Sequence, residues 1–331
     1  MNSINLRRIF DLLKRVTRKQ TKAYNKRKVI LFFFLTSSIA IPAHSAQALL
    51  QITEHAHIIR GDGYEITRGN LGRIGNIGVI VQGEEALVVN TGVSYNHGIS
   101  IIETVEKSLK KKIKGAIILE PSREYVFGAS AFRDAGIPVV SHPEAVKLIS
   151  TRCNKCLLNL EETLGDEMKM TKLVIPNSSE DVNFKKLIDK FKIKIVDTDS
   201  SAYPGALLLY ADEGQVLFSG SILMTDVVPD VKLARTKIWI NLLKNIPSDP
   251  LLKIVPNLGE IGDSNSVFST MDYLTRLNSV TEKLFENNVG LIHGSHQSRL
   301  PDFERYHLYN KRHFNNFMYR YLEFENAELN N

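Results

Sequence analysis

A short apolar run that opens into a polar loop and then a helix places the strongest constraint on this chain. Ala116–Leu119 (AIIL) has the composition of a buried strand, and Val126–Ala135 has helical spacing that ends at Gly136. Between them lies the polar segment Glu120–Tyr125, EPSREY. In α/β proteins functional residues cluster where strands end, so this loop is the first candidate site. It carries carboxylates, hydroxyls and an arginine, but no histidine.

The segments on either side of this unit predict a layered α/β domain. Gly75–Val81 and Ala86–Val89 are apolar runs separated by a turn that contains Gly83, the pattern of a β-hairpin. Gly98–Lys112 has apolar residues on one face and lysines at its end, which favours an amphipathic helix. Pro138–His142 is a further predicted strand. The resulting β-α-β-α-β order implies helices packed on a sheet.

A second β-rich set follows, and we predict that it forms the other half of the domain. The predicted strands of this half are Lys172–Pro176, Ile193–Asp197, Ala206–Tyr210 and Gln215–Ser219. Helical patterns follow these strands toward the C-terminus. Two sheets that each carry helices on one side would stack as a four-layer αββα sandwich.

Five short stretches resemble, in order and spacing, the motifs of the metallo-β-lactamase superfamily. Val88–Gly92 (VVNTG) stands where that family has V-V-D-T-G, and Gly128–Phe132 matches the G-x-x-x-F helix start that follows its T-H-x-H-x-D-H motif. The frames for G-H-T-P-G, L-F-x-G-D and V-P-G-H-G are Ser201–Gly205, Leu217–Ser221 and Val255–Gly259. The resemblance covers roughly residues 53–325. It implies an α/β fold, the four-layer αββα sandwich of metallo-β-lactamase type.

The same frames show that the metal ligands of the family are replaced in this chain. Family enzymes bind zinc or iron through imidazole and carboxylate groups. The ligand positions, with the supporting aspartate before Thr-Gly, map here onto Asn90, Glu120, Ser122, Glu124, Tyr125, Ala202, Ser221 and Leu258. Glu120 and Glu124 alone are usual ligands, and two carboxylates without an imidazole suit a weakly held Ca²⁺ or Mg²⁺. We therefore expect no catalytic residue, no bound metal and no cofactor at these vestigial positions.

Within the superfamily the chain looks most similar to a periplasmic subgroup, the quinoprotein relay system metallohydrolases and their sulfur-oxidation relatives. The residues that carry this resemblance are Arg152-Cys153-x-x-Cys156, Trp239, Phe303, His307, Asn310 and Tyr321-Leu322-Glu323. It implies a setting in periplasmic quinoprotein or sulfur-compound oxidation. Because every mapped histidine is lost from a well-patterned chain, we predict a non-catalytic, degenerate member that binds a partner protein or a small ligand in the cleft between its two halves.

Two alternative functions stay open. His293 and His296 are three residues apart and would share a zinc ion in a metal-dependent hydrolase with a non-standard site, although Gly294 and the polar residues after it favour a loop. Cys153 and Cys156 are the only cysteines. In an oxidising compartment we predict a structural disulfide between them. The alternative is a thiol-redox accessory protein that uses both thiols.

The N-terminus predicts export. Residues 1–28 carry ten Lys/Arg and one acidic residue, and the thirteen-residue apolar run Val29–Ile41 leads to Ala46-Gln47-Ala48, an A-x-A cleavage pattern. We interpret residues 1–48 as a signal peptide with a long basic n-region. Residues 49–331 are then the metallo-β-lactamase-like domain with a C-terminal helical segment. The apolar run is short for a membrane span, so an uncleaved anchor is the alternative.

The expected location is the periplasm or another exported compartment. Outside residues 1–28 the chain has 32 Lys/Arg and 35 Asp/Glu, a net charge of −3. This mildly acidic body does not favour nucleic-acid binding. The expected partner is therefore a periplasmic protein or a small ligand, and the membrane would be contacted only through an uncleaved N-terminal segment.

Overall fold

The computed structural model describes residues 48–329 of the chain. Residues 1–47, and with them nearly all of the predicted signal peptide, lie outside the described residues. In the described part of the chain, no helix combines the length and the apolar character that crossing a membrane requires.

The larger sheet contains seven strands in chain order. They are β1 (Leu49–Gln51), β2 (Ala56–Ile59), β3 (Ile77–Gln82), β4 (Glu85–Val89), β5 (Lys112–Ile118), β6 (Val139–Ser141) and β7 (Asn177–Ser178). Strands β1 to β4 pair antiparallel, and β4 to β7 pair parallel. The predicted hairpin is confirmed as β3 and β4. Along β3, Val79 faces the helices and Ile80 faces the second sheet, as the two-residue period of a strand requires.

The second sheet contains four strands in the order β11-β10-β9-β8. They are β8 (Lys194–Asp197), β9 (Leu207–Ala211), β10 (Val216–Gly220) and β11 (Lys253–Pro256). Strand β10 is parallel to β11, and the other pairs are antiparallel. The two sheets approach closely at Gly78, where a Cβ atom would lie 2.3 Å from Cε1 of Phe218. A residue with a side chain would therefore push the sheets apart at this point.

Helices cover the outer face of each sheet. They are α1 (Tyr95–Leu109), α2 (Arg123–Val126), α3 (Ala129–Asp134), α4 (Pro143–Leu164), α5 (Val182–Lys190), α6 (Thr236–Lys244), α7 (Asn265–Glu286), α8 (Leu291–Gln297) and α9 (Tyr309–Leu329). Short 3₁₀ helices lie at Gly165–Met168, Asp212–Gly214 and Pro301–Phe303. Ile101 of α1 and Ile149 of α4 pack on the larger sheet, and Trp239 of α6 and Leu274 of α7 pack on the smaller one. The layers therefore run α, β, β, α, as predicted.

Polar residues at the helix starts determine where several helices begin. Ser94 caps α1, because its Oγ accepts a 2.9 Å hydrogen bond from the N–H of His97. Asp181 caps α5 by accepting from the N–H of Asn183 over 2.9 Å. Each cap satisfies an N–H that has no partner within its own helix.

The predicted helix Val126–Ala135 differs from the structure, which has two short helices, α2 and α3, on either side of Gly128. At this point the chain touches the loop that follows β4. The N–H of Gly128 donates to the carbonyl of Gly92 over 2.9 Å, and a Cβ at Gly128 would lie 1.7 Å from the carbonyl oxygen of Thr91. The contact therefore needs glycine, and it interrupts the helix that local spacing predicts.

The strand predicted at Lys172–Pro176 is wrong. Val174 is buried, and Leu173 packs against the core beneath α1 and α4, so the apolar side chains of this segment contribute to the core without forming a strand. No ladder forms along this segment, because pairing with β6 begins only at Asn177. The later predicted strands form as β8, β9 and β10, with ends within one residue of the prediction.

Candidate functional site

The carboxyl ends of four strands meet at one edge of the sandwich, which is where the sequence places the site. Asn90 follows β4, Glu120 follows β5, Ser221 follows β10 and Asn257 follows β11. Ser221 and Asn257, which belong to the second sheet, both donate hydrogen bonds to Glu120 of the first. This edge therefore joins the two halves of the sandwich.

Glu120 is the centre of the site, and its side chain is buried, with 2% of its surface exposed. Its Oε2 accepts hydrogen bonds from the N–H of Ser221 over 2.9 Å and from the Oγ of Ser221 over 2.5 Å. The pKa of Glu120 is raised to about 7, mainly by burial and to a smaller extent by the nearby charge of Glu124, while the hydrogen bonds from Ser221 and Asn257 oppose the rise. Near neutral pH this carboxyl group is therefore close to half protonated.

Asn257 connects the two carboxyl groups of the loop. Its Nδ2 donates to Oε1 of Glu120 over 2.7 Å and to Oε1 of Glu124 over 3.0 Å. Its Oδ1 accepts from the hydroxyl of Tyr125 over 2.7 Å. We call these five residues, Glu120, Glu124, Tyr125, Ser221 and Asn257, the Glu120 network.

Tyr125 closes the network on the side of the first sheet. Its side chain is fully buried, and its hydroxyl also lies 2.9 Å from the carbonyl oxygen of Asn257. Burial, with the charges of Glu120 and Glu124, raises the pKa of Tyr125 well above its usual value. The phenol therefore stays protonated and acts as a hydrogen-bond donor.

Asn257 is the functional residue that sequence reasoning missed. Its signal was present in the frame Val255–Gly259, where an amide stands at a position that is glycine in the family motif. Its contacts with Glu120 and Glu124 span 137 and 133 positions of the chain, so no local pattern indicates them.

Asn90 shapes the loop rather than contributing to the network. Its backbone is left-handed, with a φ of 71°, a conformation that asparagine tolerates better than most residues. Its Oδ1 accepts a 3.0 Å hydrogen bond from the N–H of Leu119, and its own N–H donates to Ile117 over 2.7 Å. Asn90 therefore fixes the backbone from which Glu120 projects.

Besides Asn90, three mapped positions lie outside the network. Ser122 is half-buried at the start of α2, and its side chain makes no capping hydrogen bond. Ala202 is buried in the core beneath the helices of the second sheet. Leu258 is buried in a small apolar cluster with Ile74 and Val227. The last two positions hold apolar packing residues where the family motif has histidines.

The residues present do not fit the zinc ion that the family implies. Structural and catalytic zinc sites use three or four imidazole, thiolate or carboxylate ligands. Here Asn257 donates to both Glu120 and Glu124, Ser221 donates to Glu120, and no imidazole belongs to the network. Within residues 48–329 there is no group of three or more His, Cys, Asp and Glu side chains arranged to hold a metal ion.

His293 and His296 lie on a helix, so the predicted loop is wrong there. Both are exposed on α8, three residues apart. Gly294 between them is buried, and a Cβ there would lie 2.8 Å from the ring of Phe317 in α9. Packing on α9 thus favours a helix in spite of the glycine. Helical spacing brings the two rings near each other, but no third ligand joins them among residues 48–329.

Cys153 and Cys156 lie in the middle of α4 and are free thiols in the structure. Cys153 is buried in the core of the first half, and Cys156 is half-buried. The disulfide between them stays a prediction.

Comparison with solved structures identifies the fold. The metallo-β-lactamase of Erythrobacter litoralis superposes with a TM-score of 0.53 at 14% identity, covering 69% of this chain and 95% of that protein. The DIM-1 metallo-β-lactamase gives 0.53 at 13% identity, with 69% and 96% covered. The mono-zinc form of FIM-1 from Pseudomonas aeruginosa gives 0.51 at 15% identity, with 69% and 95% covered. This protein therefore has the metallo-β-lactamase fold, as predicted.

The comparisons show the fold alone. No protein-family profile matches the chain, and no curated protein sequence matches it either. Identities of 13–15% leave the site chemistry to be argued from the residues of this chain.

Proposed function

We propose that this chain is an exported, non-catalytic protein of the metallo-β-lactamase fold that binds a partner protein or a small ligand at the edge where the strand ends meet. The observation that carries the proposal is the Glu120 network. Catalytic zinc needs several protein ligands and an open position for water or substrate. In this chain an amide and a hydroxyl already hydrogen-bond the carboxylates at the corresponding place.

The groups around the network support a binding role. Ser122, Tyr203 and Ser221 are half-buried, and Arg123 is exposed. Hydroxyl and guanidinium groups on loops at the end of a rigid sandwich are well placed to hold a polar or anionic ligand. A setting in quinoprotein or sulfur-compound oxidation rests on the resemblance around Arg152-Cys153-x-x-Cys156 and is an analogy at the level of the family.

Metal content tests the non-catalytic half of the proposal. We would express the exported protein with zinc, iron and manganese supplied, and measure bound metal by mass spectrometry. The expected result is sub-stoichiometric metal that mild chelation removes. One or two tightly held ions per chain would overturn the proposal. Loss of that metal in H293A and H296A variants would then favour the alternative, a hydrolase with a non-standard zinc site.

Site-specific photocrosslinking tests the binding half. A photoreactive residue at Ser122 reports on the edge that carries the network. The matched control carries the same photoreactive residue at Lys107. This position is exposed near the end of α1, close to where β5 begins and therefore at the opposite end of the strands. We expect a crosslinked species in the exported fraction from position 122 but not from position 107. The same species from both positions would contradict binding at this edge.

A further inference from the structure

The two cysteines form a paired site that the Glu120 network does not use. They occupy the middle of α4, a 22-residue helix, three positions apart. Cys153 is 3% exposed and belongs to the core, whereas Cys156 is half-buried. Both are free thiols, so the structure holds a dithiol in which one cysteine is buried and the other is half-buried.

The surroundings of the pair favour a thiolate on Cys156. The neighbouring thiol of Cys153 contributes most to a lowered pKa of Cys156, burial opposes this shift, and the positive charge of Arg123 on α2 lowers the pKa further. The same interaction between the two thiols raises the pKa of Cys153, which keeps its proton.

Helix geometry makes a disulfide between these two residues strained. Side chains three positions apart on a helix have Cβ atoms about 5–6 Å apart. A disulfide brings its Cβ atoms to roughly 3.5–4.5 Å, so closing the bond distorts one turn of α4. Strained disulfides are more easily reduced, and a stabilised thiolate favours the reduced form further.

We propose that Cys153 and Cys156 form a thiol–disulfide exchange site, in which Cys156 attacks and Cys153 resolves, and whose substrates are accessible protein or peptide disulfides. This inference does not depend on what binds beside the Glu120 network, and the absence of catalysis proposed above concerns the metal positions at that network, not the two thiols. It also gives the predicted disulfide a different role, since the bond would be a reversible oxidised state rather than a structural bridge.

The exchange proceeds in two balanced steps. The Cys156 thiolate attacks one sulfur of the substrate disulfide, forms a mixed disulfide and releases the other substrate sulfur as a thiolate. Cys153 then gives up its proton and attacks Sγ of Cys156, which releases the second substrate sulfur. The chain gains one disulfide and loses two electrons, and the substrate disulfide is reduced to two thiols. The reverse sequence oxidises a substrate dithiol.

Alkylation kinetics test which sulfur is the nucleophile. In the full exported protein, the rate of Cys156 alkylation by iodoacetamide is expected to rise with a midpoint below the value of about 8.5 that is usual for a cysteine. R123Q should raise this midpoint by roughly half a pH unit. At a given pH below the midpoint, the ratio of thiolate to thiol then falls roughly three-fold. K147Q, which removes an exposed positive charge on the same helix nine residues before Cys156, should leave it unchanged. A wild-type midpoint at or above about pH 8.5, or equal effects of the two variants, would overturn the assignment.

Substitutions of Cys153 separate chemistry from structure. C153S keeps a hydrogen-bond donor beside Cys156, whereas C153A removes it, so only C153A should raise the alkylation midpoint by more than one unit. With oxidised glutathione as the probe, we expect the wild type to form the internal disulfide, C153S to keep one glutathione on Cys156, and C156S to remain unmodified. Circular dichroism checks that each variant is folded. A wild type that forms no internal disulfide, or a C156S variant that is glutathionylated, would refute the proposal.

Discussion

The Nδ2 atom of Asn257 lies 2.7 Å from Oε1 of Glu120, although the two residues are 137 positions apart in the chain. This contact joins the end of the last strand of the second sheet to the loop after β5. It places a neutral amide where enzymes that carry the family motif bind a metal through imidazole ligands. The chemistry of the edge therefore depends on how well the amide satisfies two buried carboxyl groups.

Removing that amide should destabilise the fold in a pH-dependent way. N257A leaves Glu120 and Glu124 without their shared donor, and an unsatisfied buried polar group costs about 1–3 kcal/mol, or more when it is charged. We expect a larger loss of unfolding free energy at about pH 8 than at about pH 5, because Glu120 ionises between these values. Urea denaturation at both pH values measures the difference.

The control for this experiment is N245A. Asn245 is exposed, and its Nδ2 donates over 3.0 Å to a carbonyl one helical turn earlier. Its replacement should change the unfolding free energy by less than about 0.5 kcal/mol at either pH. Equal losses in N257A and N245A would contradict the account of the network.

The raised pKa of Glu120 predicts that stability falls as pH rises. The folded state binds the proton more tightly, since the pKa is about 7 in the fold against 4.5 for an ordinary glutamate. This contribution is complete below about pH 4.5 and is lost as pH rises through about 7, with a size on the order of 3 kcal/mol. E120Q cannot ionise, so its stability should fall less between these values.

The measurement compares unfolding free energies of the wild type and E120Q across the pH range. E106Q, which replaces an exposed carboxylate on α1, should keep the wild-type slope. Parallel curves for wild type and E120Q would show that the carboxyl group of Glu120 does not titrate differently in the folded state.

Helices and hairpins, whose formation depends on residues close together in the sequence, could be predicted from the sequence. The hairpin of β3 and β4 follows from two apolar runs on either side of Gly83, and α1 follows from its apolar face. The run Lys172–Pro176 has a similar composition but pairs with no strand. Strand formation requires a pairing partner, and composition alone does not identify that partner. Local pattern therefore indicates which segments are buried more reliably than which segments pair.

The site was predicted as a set of positions but not as a network. The frames named Glu120, Glu124, Tyr125 and Ser221, and the structure brings these four side chains together at one edge, because motif spacing follows strand order. The role of Asn257 could not be predicted, since it arises only when the ends of the two sheets meet. The helix at His293 was missed for the same reason, because packing of Gly294 on Phe317 stabilises it.

Asn90 offers a test of how the loop after β5 is held. N90A removes the acceptor for the N–H of Leu119 and places alanine at a φ of 71°, so we expect a loss of about 2–4 kcal/mol from the two effects together. N90G removes the acceptor without the backbone strain and should lose less. N90D keeps an acceptor and should lose least. Thermal and urea unfolding rank the three, and a different order would show that the Oδ1 contact does not govern this loop.

Restoring the ligands of the family tests the mapping of the vestigial positions. The full set of changes is E120H, S122H, E124D, Y125H, A202H, S221D and L258H. Since the chain already has the fold, placing imidazole and carboxylate groups at these positions should create tight, stoichiometric zinc binding, measured by mass spectrometry after dialysis. The matched control carries glutamine in place of each new histidine. Y125H opens a cavity at a fully buried position, so circular dichroism must first establish that the variant is folded. A folded variant that binds no more zinc than its glutamine control would show that the assigned positions are out of register with the metal site.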